Sequence, residues 1–190
     1  MLYLCYTQGS LTVPTLTSMF IPFEQLPDHA RLWVYQSNRR LSDNEVQLIR
    51  QEGARFTDQW AAHGRALRAS VTVLHHHFLI IAVDEQYHQA SGCSIDSSVG
   101  FVRSIESVLM GQGAAVDFFD RTLIAFWIDN SVKLSPLSEA KQQISAGVIQ
   151  PDTCLFNHLI ATKAELETQW KTRLSDSWLA RHLPKVRASV

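Results

Sequence analysis

Hydrophobic and polar positions divide the chain into short segments of two periods. Arg31-Leu32-Trp33-Val34-Tyr35-Gln36 is rich in β-branched and aromatic residues and is preceded by Pro27 and Asp28, which predicts a strand. Ser42-Asp43-Asn44-Glu45 forms a capping box, in which the serine hydroxyl accepts from a free backbone N–H and the glutamate reaches back. Beyond it Val46, Ile49, Gly53, Phe56 and Trp60 recur at steps of three and four, the apolar stripe of a helix expected to end near His63-Gly64. Leu67, Ala69, Val71 and Val73 alternate with Arg68, Ser70 and Thr72, the period of a strand with one buried face. His75-His76-His77 marks a hairpin turn. Phe78-Leu79-Ile80-Ile81-Ala82-Val83 is continuously apolar and reads as a central strand buried on both faces. After a polar loop from Glu85 to Ser94, Asp96-Ser97-Ser98 opens a second helix with Val99, Val102, Ile105 and Leu109 inward, ending around Gly111-Gln112-Gly113. Thr122-Leu123-Ile124-Ala125-Phe126-Trp127-Ile128 is a fourth strand, closed by Asp129-Asn130.

The order strand, helix, strand, strand, helix, strand is that of the ferredoxin-like βαββαβ unit. The expected fold class is therefore α+β: one antiparallel sheet with two helices on one face. The third and fourth strands are apolar on both sides, so the second face also needs a cover. The remaining chain offers a C-terminal helical extension. A helix runs from Pro136 to about Ala146, with Ser135 as cap and Gly147 as stop. The apolar segment Cys154-Leu155-Phe156 follows. Thr162-Lys163-Ala164-Glu165 is a second capping box, opening a helix with Leu166, Trp170 and Leu174, and a short last helix holds Trp178, Leu179 and Leu183 before Pro184. The expected organisation is a tail at 1–18, a core at 19–130 and an extension at 131–190 packed on that core. The first charged residue is Glu24, yet Met1–Phe23 has no basic start and is broken by Gln8, Gly9, Ser10 and Pro14, so it is expected to be neither a signal peptide nor a membrane span. It reads as a disordered tail, the alternative being a non-native one with natural translation beginning at Met19.

Composition narrows the function classes. Hydrophobic residues make up 46 % of the 190, which excludes wholesale disorder. Seventeen basic residues against eighteen acidic ones, a net charge of −1, argue against a protein that grips nucleic acid through phosphates. Arg39-Arg40 and Arg65 with Arg68 are basic, but no aromatic run resembles a stacking strand. Cys5, Cys93 and Cys154 are odd in number and far apart, without the spacing of a zinc knuckle or a redox dithiol, so a reducing, cytoplasmic setting is expected. No cofactor and no membrane span is expected.

In the ferredoxin-like arrangement the ends of the third and fourth strands share one sheet edge with the starts of the first and second. That edge is expected to gather His29, His63, Asp84, the segment Ala90–Ser98 and Asp129. Ser91, Gly92, Cys93, Ser94, Asp96, Ser97 and Ser98 supply small and hydroxyl side chains at a helix start, where free N–H groups and the positive helix end attract an anion. The same field suits a reactive thiol at Cys93, with His63 or His29 as its base or orienter. Small hydroxyl residues also simply cap helices, cysteine is often a small buried hydrophobe, and Asp96 repels an anion. Asp84, Asp96 and Asp129 as a magnesium site are set aside, because strand ends commonly carry turn-forming aspartates; the histidine triplet is set aside as a zinc site, because adjacent hairpin residues seldom converge. No metal is expected. Asp117-Phe118-Phe119-Asp120-Arg121 is expected to anchor two rings in the core and to pair Arg121 with an acid. The leading expectation is a cytosolic protein that binds a small anionic ligand at Ser91–Ser98, with Cys93 as a reactive thiol. The alternative is a non-catalytic module for protein–protein contact or self-association.

Phe20-Ile21-Pro22-Phe23-Glu24-Gln25-Leu26-Pro27-Asp28-His29-Ala30-Arg31, Trp60-Ala61-Ala62-His63-Gly64, Ala90–Ser98, Asp117–Thr122, Thr162-Lys163-Ala164-Glu165 and Asp176-Ser177-Trp178 resemble the hallmark stretches of a family of small uncharacterised bacterial proteins that often carry the label "ABC transporter ATPase". The resemblance covers about Phe20 to Leu183 and implies no established activity. The chain has no Gly-Lys-Ser/Thr loop and no Leu-Ser-Gly-Gly-Gln signature, so ATP hydrolysis of that kind is not expected. Gly-x-Ser-x-Gly, His-Glu-x-x-His and a dinucleotide fingerprint are absent as well.

Overall fold

The computed structural model describes residues 20–86 and 88–184. The expected tail, Cys5 and the alternative start at Met19 lie outside the described residues. Strand β1 (Arg31–Gln36) leads to helix α1 (Asp43–Gln59), where both halves of the capping box form: Glu45 N donates to Ser42 Oγ at 3.3 Å and Ser42 N to Glu45 Oε2 at 2.6 Å. A small hairpin, β2 (Ala61–Ala62) and β3 (Arg65–Ala66), precedes β4 (Arg68–Leu74), β5 (Phe78–Asp84) and helix α2 (Gly92–Gly111). Then come β6 (Leu123–Ile128), β7 (Ser131–Pro136), α3 (Leu137–Ser145), β8 (Cys154–Phe156), α4 (Lys163–Thr168) and β9 (Lys171–Arg173), followed by the 3-10 turns Leu174–Asp176 and Trp178–His182.

The strands form two open antiparallel sheets, β1-β5-β4 and β7-β6-β8-β9, beside the small hairpin. Side-chain alternation along β5 sets the layers. Leu79, Ile81 and Val83 face α1 and α2, in a core with Ile49, Trp60, Val102 and Ile105. Phe78, Ile80 and Ala82 face the other way, onto Ala125, Phe156, Leu166 and Trp170 of the second half of the chain. Every residue of β5 is buried, as its unbroken apolar run predicts. The outer side of the second sheet buries Phe126 and Leu155 beneath Ala140 and Ile144 of α3 and Leu179. The layers run helices, sheet, sheet, helix. Helix α1 approaches the first sheet closely at Gly53, where an added Cβ would lie 2.5 Å from Val71 Cβ.

The architecture is α+β, and it departs from the expected ferredoxin-like sheet at the fourth strand. The first three strands take the order 1-3-2 of that unit. Strand β6 does not join them. It pairs along its whole length with β7 through a two-residue turn, Asp129 (φ 51°) and Asn130 (φ 53°), both left-handed as a type I′ hairpin requires. The place it was expected to take beside β1 is occupied by the segment before α4, where Leu32 N donates to Ala161 O at 2.9 Å and Arg31 bridges Thr162. The second face is thus covered by a second sheet, not by helices alone.

Three local differences have similar causes. Helix α1 stops at Gln59, because Trp60 turns into the core and His63-Gly64 make the tight turn of β2–β3, with φ 50° and 76°. Helix α2 begins at Gly92, because Ser91 caps it by accepting from Ser94 N. The helix expected through Leu174 ends at Thr168, and residues 171–173 pair with β8. Among the described residues no helix is long and apolar enough to cross a membrane, and no group of three or more His, Cys, Asp or Glu is arranged to hold a metal ion.

Candidate functional site

The register of the first sheet defines two ends. Arg68 lies opposite Asp84 at one end, and Leu74 lies opposite Phe78 at the other, with Gln36 beside Phe78. Asp84 closes β5 with its side chain 2 % exposed. Its carboxylate faces His29 Nε2 at 3.4 Å and Arg68 Nη1 at 3.5 Å, and accepts from Gln86 N at 3.0 Å. Glu85 faces Arg31 Nη1 at 3.4 Å and accepts from Ala90 N at 2.9 Å, which ties down the loop into α2. Asp84 and His29 are therefore brought together, as expected.

The hydroxyls at the start of α2 are committed to the helix itself. Ser94 Oγ donates to Ser91 O, Ser97 Oγ to Ser94 O and Ser98 Oγ to Ile95 O. Ser94 and Ser98 are buried, and Trp60 Nε1 donates to Ser94 O at 2.9 Å and to Ser97 Oγ at 3.0 Å. Gly92, Cys93 and Asp96 are exposed. Their position leaves the Gly92 and Cys93 N–H groups without an intrahelical acceptor. His63 is exposed in the β2–β3 turn, and among the described residues it makes no hydrogen bond to Cys93. Asp129 is not at this end. It tips the β6–β7 hairpin of the second sheet, and Trp127, two residues earlier, packs on the His75 ring at 4.7 Å, at the turn end of β4 and β5.

A cavity of about 820 Å³ opens at the opposite end, where Gln36 finishes β1. Its apolar wall includes Phe118, Leu123, Leu155 and Phe156, while exposed Leu159 and Trp178 also line it. The loop after α2 forms one side and is braced from several directions. Asn38 N donates to Asp117 O and Asp117 N to Asn38 Oδ1, each at 3.0 Å, and Phe118 N donates to Glu106 Oε1 at 2.7 Å. Arg39 reaches Ala114 O and Ala115 O while pairing with Glu45 at 2.7 Å. The Arg39 guanidinium holds the Glu45 carboxyl at a pKa of about 2.

Three cations line this cavity: Arg121, Lys171 and Arg173. Among the described residues none of the three has an ion pair. The expected pairing of Arg121 with an acid does not form, because the nearby carboxylates bond locally. Asp117 accepts from Phe119 N at 2.7 Å, and Asp120 accepts from Thr122 N at 2.8 Å and Thr122 Oγ1 at 2.6 Å. Those bonds also lower the pKa of Asp120. Lys171 rests on Trp127, with Nζ 3.6 Å from the ring centroid, and the loss of water there lowers its pKa. Asp176 is the second acid of the lining and accepts from Ser175 Oγ.

His158 lines the same cavity with an exposed ring that is nonetheless crowded by protein atoms. That desolvation, with the Arg121 charge, pushes its pKa down to about 4. Its Nε2 lies 3.0 Å from Gln36 Oε1, and Gln36 Nε2 donates to Leu123 O at 3.3 Å. Sequence reasoning missed Gln36, His158, Lys171 and Arg173 as candidates. The alternation Lys171-Thr172-Arg173 is the signal that was there: in a strand two residues apart share a face. Compared with protein-family models, curated proteins and solved structures, the chain matches none.

Proposed function

We propose that the protein binds a small organic anion with an apolar body in the cavity at the Gln36 end of the first sheet. The observation that carries this reading is the pair of guanidiniums, Arg121 and Arg173, that line one concavity and form no ion pair among the described residues, the two acids of the lining, Asp120 and Asp176, accepting from Thr122 and Ser175 instead. A guanidinium offers a planar fork of donors that fits a carboxylate or phosphate. The volume lies within the range of about 300–1,000 Å³ usual for ligand pockets, and an apolar wall with a few convergent polar groups is their common make-up. The ligand class is that expected from the sequence; the site differs.

A second reading keeps the anion at the start of α2, favoured by the exposure of Cys93 beside two unpartnered N–H groups. Isothermal titration at low salt separates the two, with pyrophosphate and phenyl phosphate as probes. Arg121→Ala and Arg173→Ala are each expected to weaken binding about 10- to 100-fold. Unchanged affinity in both variants, with loss on alkylation of Cys93, would move the site to α2. The interaction-module reading draws on Leu159 and Trp178, 88 % and 49 % exposed beside the cavity. Concentration-dependent dimerisation blocked by Trp178→Ala would favour it. The free thiols of Cys93 and Cys154 fit a cytoplasmic setting for any of these readings. Membership of the "ABC transporter ATPase"-labelled family is part of the proposal only as a resemblance; it adds no ATP hydrolysis, since the phosphate-binding lysine motif is missing.

A further inference from the structure

The hydrogen bonds that hold His158 fix which of its nitrogens carries the proton. Leu123 O is a carbonyl and can only accept, so the Gln36 group that meets it must be the amide N–H₂. The amide oxygen of Gln36 then faces His158 Nε2 at 3.0 Å and can only accept in turn. His158 Nε2 is therefore the N–H donor. In the neutral ring the other nitrogen, Nδ1, is a bare acceptor, and it makes no hydrogen bond to any described residue. The neutral form is favoured by the crowding of the ring and by the Arg121 charge. A neutral acceptor thus belongs to the lining of a cavity that also presents three cationic donors, Arg121, Lys171 and Arg173. A simple anion satisfies the donors and leaves Nδ1 unmatched, while an ammonium on the ligand would meet the repulsion of three cations, Arg121, Lys171 and Arg173, against two acids, Asp120 and Asp176, that already accept from Thr122 and Ser175. A hydroxyl meets neither objection.

We infer that the cavity selects a hydroxylated organic anion, whose carboxylate or phosphate meets Arg121 and Arg173 and whose hydroxyl donates to His158 Nδ1. This rests on the proposed anion site and adds the ligand's second functional group. It makes Gln36 a positioning residue, acting through the tautomer it imposes, and His158 a specificity determinant.

The test compares 3-phenyllactate with 3-phenylpropionate, which differ by one hydroxyl, by titration calorimetry on the full chain. The wild type is expected to bind phenyllactate about 3- to 10-fold more tightly. In His158→Phe that preference should vanish while pyrophosphate binding persists. Equal binding of the two acids by the wild type, with both weakened by Arg121→Ala, overturns the inference and leaves the anion site standing. Failure of both acids and of pyrophosphate to bind at millimolar concentration overturns the two together. Nitrogen-15 NMR of the free protein at pH 7 gives an independent check that needs no ligand: a proton on Nε2 and none on Nδ1 is expected, and a charged ring or an Nδ1–H form refutes the inference.

Discussion

The two ends of the three-stranded sheet handle charge in opposite ways. At the Asp84 end the strand-end acids have partners within the protein, Asp84 with His29 and Arg68 and Glu85 with Arg31, and the serines of α2 bond to their own helix. At the Gln36 end the acids bond to local groups, and among the described residues Arg121 and Arg173 have no ion pair around the cavity they line. A satisfied network contributes to stability and holds a loop in place. An unsatisfied one whose charges share a cavity is where the proposed anion would find its partners. The small polar residues that draw the eye in the sequence thus have local structural partners, and the less conspicuous arginines do not.

The sharpest way to break the comparison is to attack the satisfied end. Trp60 is 3 % exposed and its indole N–H anchors the first turn of α2. Trp60→Ala is expected to cost about 3–5 kcal/mol in urea unfolding, with anion affinity unchanged in whatever fraction stays folded. Arg121→Ala gives the reverse pattern: a binding loss of about 1.5–3 kcal/mol with unfolding shifted by no more than about 0.5 kcal/mol. Should Arg121→Ala destabilise as much as it weakens binding, the arginine is structural and the contrast between the ends fails.

A smaller effect comes from acid. Glu45, which braces Arg39 against the loop wall, has its pKa lowered from 4.5 to about 2 by the Arg39 hydrogen bond. A carboxyl with a depressed native pKa adds stability that is fully present above its unfolded value and is lost as pH falls through the native one. The stability gap between the wild type and Glu45→Gln, on the order of 1 kcal/mol, should therefore be widest above about pH 5 and close towards pH 2. A gap that stays constant across that window would show that the pairing is not what holds the carboxyl. Smallest of all is Cys93→Ser, expected to change stability by less than about 0.5 kcal/mol, since Cys93 is exposed. Iodoacetamide should label native Cys93 faster than the half-buried Cys154, as followed by mass spectrometry.

Much of the fold is legible because its signals are local. The Ser42 and Thr162 capping boxes form as written and β5 is buried on both faces, while β4 keeps its strand but not its single buried face: Ser70, expected on the polar side, is buried between Ala69 and Val71 because the second layer covers that side too. The fate of the fourth strand is not local. It turns on whether β6 finds β1 or β7 first, and the cue, Asp129-Asn130 before the alternating Ser131-Val132-Lys133-Leu134, is a hairpin signal read only as a strand end. Leu166, Trp170 and Leu174 at steps of four mimic a helix, yet Trp170 packs against Phe78 and Phe156 between the sheets, and the chain straightens into β9. The cavity inherits that ambiguity: Lys171, Arg173 and His158 come together with Gln36 and Arg121 only once the second sheet exists. Asp84 with His29 was legible because both flank paired strands of the first sheet.

The central claim is that the Gln36 end, not the start of α2, receives the anion. Two-dimensional NMR of the backbone amides during titration with pyrophosphate tests it most directly. The account predicts perturbations clustered at residues 120–123, 157–159 and 171–178, with Gly92–Ser98 unmoved. Shifts centred on Gly92, Cys93 and Ser94, with the cavity residues silent, would contradict it.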